Sequence, residues 1–137
     1  MRSSKANDFN ATSGGLAPLQ RLSSLPDTFT GDNRSAAIFI DPAGHRVYTS
    51  NRGQDTVAVF NIQPDTGLLS FVEATPTQGS KPRAFAITPD GRWLFALNEV
   101  SDTIVRFCIE PSTGRLEVAG SPVACGSPVC MVFSSNP

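Results

Sequence analysis

The chain contains one segment written twice, and that duplication limits its fold more than any single motif. Laid over Lys81 to Ser127 without a gap, Arg34 to Ser80 gives 15 identities in 47 positions. Gly44 falls on Gly91, Asn51 on Asn98, Asp55 on Asp102, Phe60 on Phe107 and Gly67 on Gly114. Turn formers and apolar runs therefore keep step, as a structural repeat requires.

The repeated unit is written in strands. The second copy holds four short runs rich in β-branched and aromatic residues: Ala84 to Thr88, Trp93 to Leu97, Thr103 to Ile109 and Leu116 to Gly120. The first copy has Ala37 to Asp41, Val47 to Ser50, Thr56 to Ile62 and Leu69 to Glu73. Gly, Pro, Asn and Asp clusters divide the runs, and no window sustains apolar residues at helical spacing. Four strands per unit at this period predict an all-β chain built as part of a β-propeller, with a flat antiparallel meander as the alternative. Val57-Ala58-Val59-Phe60 and Ile104-Val105-Arg106-Phe107 are mostly apolar on both strand faces. Such runs suit a sheet packed on both sides.

The expected divisions follow from the repeat: residues 1–8 loose, 9–33 the tail of a preceding blade with its connection, 34–80 and 81–127 two four-stranded blades, and 128–137 one closing strand of a further blade. The tail is read from a second match, Phe9-Asn10-Ala11-Thr12-Ser13-Gly14-Gly15-Leu16 against Ile62 to Leu69, at an offset of 53. That offset is six more than the period, so the connection around Pro26 to Ser35 carries six extra residues. Whatever strands would complete the end units must come from outside this chain, which makes open strand edges and self-association an expectation.

Charge and cysteine usage narrow the partners. With 11 Lys and Arg against 12 Asp and Glu, no field favours nucleic acid or an anionic membrane. Polar residues after Met1 give no signal-peptide core, and no run is long enough to span a membrane. Cys108, Cys125 and Cys130 lack metal-ligand spacing; their odd number suits a reducing compartment, so a cytoplasmic location is expected. Cys108 and Cys130 fall within expected strands and read as core residues. No metal or cofactor motif is present.

Strand order then sorts the loops. The connections 26–35, 50–55, 77–83, 97–102 and 124–128 should share one end of the sheets, with the Pro and Gly hairpin turns at the other. The first end carries Asn33, Arg34, Asn51, Arg52, Lys81, Arg83, Asn98 and Glu99. Arg52 and Arg83 stand out because their repeat partners are Glu99 and Ala36, so the repeat itself requires neither. A guanidinium there offers a planar, permanently charged fork for carboxylate or phosphate; the structural alternative is a pair with Glu99 or Asp102. Asp55 and Asp102 recur and read as loop caps. His45 sits on the opposite, turn-bearing end, away from any triad.

Asp41-Pro42-Ala43-Gly44, the run from Val47 through Ser50-Asn51-Arg52-Gly53 to Phe60, then Pro82-Arg83-Ala84-Phe85 and Ser127 to Phe133, together resemble the C-terminal part of the lactonase family of seven-bladed propellers. That family includes propeller-type 6-phosphogluconolactonases and carboxymuconate-cyclase relatives. The resemblance covers about Phe9 to Phe133. It implies metal-free hydrolysis of a sugar-type lactone, in which a base activates water while cationic groups hold the substrate's anion and the developing oxyanion. On this basis Arg52 is the expected catalytic residue and Arg83 an expected substrate contact; Asn51 and Asn98 join them as expected substrate contacts because they lie on the same loop-bearing end. The resemblance supplies no general base within this chain. The expected ligand is a sugar lactone or another anion, and a non-catalytic repeat module that binds a partner or ligand is the alternative.

Overall fold

The computed structural model describes residues 3–10 and 12–135. The described residues form strands and turns with no helix. Strands β3 (Arg34–Ile40), β4 (Arg46–Arg52), β5 (Thr56–Ile62) and β6 (Leu69–Pro76) make a four-stranded antiparallel sheet in sequence order. The second copy repeats it with β7 (Pro82–Ile87), β8 (Trp93–Asn98), β9 (Thr103–Ile109) and a fourth position made of two short pieces, β10 (Leu116–Val118) and β11 (Val123–Ala124). Both pieces pair with β9. The interruption includes Gly120 in the left-handed region at φ 85°, and there the Arg106 side chain turns back to donate Nε to the Ala119 carbonyl.

The two ends depart from the expected divisions. Instead of a loose segment, β1 (Ser3–Asn10) forms a hairpin with β2 (Gly15–Ser23), in register from Ser3 opposite Ser23 to Asn10 opposite Gly15. The sequence of β1 is polar and barely alternates, so its strand character comes from backbone pairing that no hydrophobic pattern announces. At the other end, residues 128–135 run without a ladder partner. Phe133 nonetheless lies 5.9 Å from Phe95, ring centre to ring centre, so the closing segment touches the open face of the second sheet without being hydrogen-bonded into it.

The repeat also generates the core, face by face. Tyr48, Val57 and Val59 of the first sheet are buried against Leu94, Val105 and Phe107 of the second. The residues 47 positions before that second group, Val47, Ala58 and Phe60, form a separate buried cluster with Leu22 of β2. The residues 47 positions after the first group, Phe95, Ile104 and Arg106, line an open cavity of about 390 Å³ with Val123 and Met131. Each sheet thus has a leading and a trailing face, and one leading face lacks a sheet to cover it.

That explains why β5 is buried from Thr56 to Phe60 while β9 alternates, with Arg106 and Cys108 exposed. It also corrects the cysteine expectation: Cys108 is exposed because a strand residue is core only when something packs on its face, Cys130 is exposed in a segment without a ladder partner, and Cys125 is half-buried. Fully burying a Leu or Phe side chain contributes roughly 1.5–3 kcal/mol. The inter-sheet cluster of ten buried residues therefore outweighs the loose ion pairs Arg46–Asp41 and Arg115–Glu73, both at 4.0 Å.

Candidate functional site

Three connections meet at one end of the two sheets. Asp32 and Asn33 from the first linker, Arg34 at the start of β3, Arg52 at the end of β4 and Lys81 before β7 line an open cleft of about 400 Å³. The hairpin turns lie at the opposite end, where Asp41, His45, Asp90 and Arg92 surround a different cavity. The division of loops expected from strand order is the observed one, and His45 is exposed on the far side.

Each residue of the Asn51-Arg52-Gly53 run has a distinct task. Asn51 is fully buried. Its Nδ2 donates to the Ser24 carbonyl at 3.0 Å and to Thr56 Oγ1 at 3.2 Å, and its Oδ1 accepts from Ser24 Oγ at 2.7 Å and Asn33 Nδ2 at 3.3 Å. Gly53 has φ 130°, and a Cβ there would collide with the Asp32 carbonyl oxygen. The linker backbone is pressed onto a position only glycine can occupy. Between these two, Arg52 is half-buried at the cleft. Its Nε is buried with no hydrogen-bond partner, and no ion pair joins it to Glu99 or Asp102 among the described residues.

Lys81 is aimed by an aspartate. Asp55 Oδ1 accepts the Lys81 N–H at 2.9 Å, while Lys81 holds the left-handed conformation at φ 60°. In the second copy Asp102 Oδ1 accepts from the Ser127 N–H at 2.7 Å, with Ser127 at φ 44°. The recurring aspartates are loop pins, as their recurrence suggested.

The expected substrate contacts fare differently. Asn51 has its four principal hydrogen-bonding positions filled and cannot also reach a ligand. Asn98 is its structural twin: it is fully buried, and its Nδ2 donates to the Thr77 carbonyl at 3.0 Å. Both amides tie the incoming linker to the end of the second strand. Arg83 is exposed at an irregularity of β7 between Pro82 and Ala84 and is not part of the cleft lining.

Two cleft cations, Arg34 and Lys81, did not stand out in the sequence. They are each other's repeat partners, the first residue of each copy, so a basic side chain in both copies was the available signal. Three cations with one carboxylate, Asp32, make a site suited to an anion of more than one charged or polar oxygen. Among the described residues, no group of three or more His, Cys, Asp or Glu side chains is placed to hold a metal ion.

A family model described as "Lactonase, 7-bladed beta-propeller" matches residues 3–133. The chain belongs to this lactonase family. The 6-phosphogluconolactonase of Bacillus subtilis (strain 168) is 39% identical to this lactonase-family chain over 77 residues, which are 56% of the chain and 22% of that protein. Among solved structures, a Lactobacillus plantarum protein superposes with a TM-score of 0.88 at 28% identity, over 92% of this chain and 37% of its own. The periplasmic gluconolactonase of Pseudomonas aeruginosa superposes with a TM-score of 0.87 at 31% identity, over 98% of this chain and 37% of its own. The lactonase-family chain thus spans 22% of the curated relative and 37% of each solved one. The two sheets are accordingly blades of a partial propeller.

Proposed function

We propose that this chain supplies one wall of a lactone-hydrolysing site, with Arg52 holding the substrate's anionic group or the oxyanion that forms as water adds to the lactone carbonyl. The observation that carries the reading is the half-buried Arg52, which pairs with neither Glu99 nor Asp102 and shares its cleft with Arg34 and Lys81. A prearranged cation at a developing oxyanion stabilises the transition state without reorganising at the moment of reaction. The family membership and the names of the two lactonase relatives support lactone ester hydrolysis as the reaction class, with 6-phosphogluconolactone as the first substrate to try.

A second reading is a non-catalytic anion- or partner-binding module. It is favoured by the cleft lining, which includes no histidine and a single carboxylate, Asp32, itself already engaged by another group. General-base catalysis needs a proton acceptor within reach of the attacking water, which this reading leaves to other blades or dispenses with.

A chimera separates the two. In the Bacillus subtilis enzyme, the segment matching this chain is replaced by the chain's own residues and hydrolysis of 6-phosphogluconolactone is followed. The lactonase reading expects turnover that falls roughly 100-fold or more on Arg52→Ala, the scale seen on removing one oxyanion-stabilising group. A well-folded chimera whose turnover ignores that substitution removes Arg52 from the mechanism. A well-folded chimera without turnover, whose cleft still binds phosphate, favours the module.

A further inference from the structure

The first linker does more than join two blades. It is six residues longer than the repeat requires, and the extra length folds into a turn in which the Phe29 N–H donates to the Pro26 carbonyl at 3.0 Å. This turn walls a second cavity of about 410 Å³, lined in part by Leu25, Pro26, Asp27 and Phe29. Asp32 and Asn33 line both this cavity and the cationic cleft, so the two adjoin along the linker. Asn33 anchors that boundary: it is buried, donates to Asn51 Oδ1 and accepts the Gln54 N–H at 3.2 Å through Oδ1. The Phe29 ring also covers Gly31, where an added Cβ would meet it at 2.9 Å, so the ring is held against the loop.

We infer that the linker cavity is a subsite for an uncharged, hydroxyl-bearing ring attached to the anion held by Arg34, Arg52 and Lys81. This extends the anion reading given above and rests on it. The chemistry of the lining is what such a ring needs. A sugar ring has an apolar C–H face, which an aromatic or proline surface can cover, and a rim of hydroxyls, which carboxylate and amide oxygens can accept from. Phe29 and Pro26 supply the first, and the exposed Asp27 carboxylate the second. Two adjoining cavities, each near 400 Å³, give each of two linked units a site of its own. The preferred ligand class is a sugar acid carrying a glycosyl extension, larger than a single aldonate. Phe29 is then a specificity-determining residue, and the six-residue extension is what creates the preference.

The probes are gluconate and lactobionate, which is gluconate carrying a galactosyl group, titrated into the 137-residue chain and followed by amide chemical shifts. Lactobionate is expected to bind roughly threefold to tenfold tighter than gluconate, the scale of one aromatic contact. Phe29→Ala should abolish that advantage and leave gluconate binding unchanged, whereas Thr28→Ala, on the same turn but outside the lining, should preserve it. Unperturbed strand amides in each variant verify that the fold is intact. Gluconate bound through Arg52 with no preference for lactobionate, or a preference that survives Phe29→Ala, overturns the subsite alone. Binding of neither probe overturns both the subsite and the anion reading beneath it.

Discussion

Arg34 and Arg52 stand directly opposite each other across the β3–β4 ladder. Directly opposed residues project on the same face, and like charges in such a pair cost roughly 0.2–1 kcal/mol. Lys81 lines the same cleft, which adds to the cost. A sheet that tolerates this arrangement is poised to gain from an anion. Arg34→Gln is therefore expected to raise stability in low salt by up to about 1 kcal/mol, with the gain shrinking as salt screens the repulsion. Added phosphate should raise the melting temperature of the native chain more than that of the variant. A variant less stable than the native chain in low salt would show that the two arginines do not repel.

Gly53→Ala tests the close approach of the linker. The substitution meets both a φ of 130° and a collision of the new Cβ with the Asp32 carbonyl oxygen, so neither backbone nor neighbour can absorb it locally. A loss of roughly 3 kcal/mol or more is expected, read from urea unfolding. Gly44→Ala has a φ of 75° but nothing within 4 Å of its Cβ, and should cost much less.

Asn51→Ala and Asn98→Ala form a matched pair. The first removes a side chain engaged by Ser24, Asn33 and Thr56; the second removes one whose Nδ2 donates to the Thr77 carbonyl and whose own Oδ1 is buried without a partner. Stranding several buried polar groups costs more than stranding one, at about 1–3 kcal/mol each. Asn51→Ala should thus be the more destabilising by more than 1 kcal/mol. Equal losses would mean that the Asn51 network adds nothing beyond the single linker tie.

Tyr48 is the single tyrosine, so its ionisation can be read directly from ultraviolet absorbance. Burial between the sheets pushes its pKa from 10.0 up to about 12, and its hydroxyl donates to the Gly114 carbonyl at 3.0 Å. The folded state favours the neutral phenol. Its contribution to stability is therefore complete below pH 10 and lost as the pH rises toward 12. Tyr48→Phe should flatten that part of the pH–stability curve. An absorbance midpoint near 10 in the folded chain would contradict the burial argument.

The uncovered leading face of the second sheet should drive association. Val123, 62% exposed, lines the cavity floored by Phe95 and Ile104, and Val132, 84% exposed, follows Met131 of the same lining in the chain. Sedimentation of the native chain is expected to show concentration-dependent association. The double substitution Val123→Lys and Val132→Lys should suppress it, because charges on such a surface oppose docking. Association unchanged by the two lysines would place the contact elsewhere.

Much of the architecture was legible because a repeat constrains every level at once. Pairing Gly44 with Gly91 and Phe60 with Phe107 fixes turns and strands, and strand order then fixes which loops share an end. The β1 hairpin was not legible: residues SSKANDFN carry no apolar alternation, and their pairing is a matter of backbone hydrogen bonds. Cys108 misled for a related reason. A strand pattern says which residues share a face and nothing about whether that face is covered.

At the site, the sequence by itself determined that Arg52 breaks the repeat and that Asp55 and Asp102 maintain it. Only the tertiary structure decided the rest. It turned Asn51 and Asn98 from ligand contacts into linker ties, left Arg83 outside the cleft, and brought Arg34 and Lys81 in. The physical reason is that a residue's type sets which bonds it can make, whereas its burial and neighbours decide which of those bonds are already made. The Asn51 amide, buried with its partners in place, is spent, whereas the half-buried Arg52 guanidinium lines an open cleft.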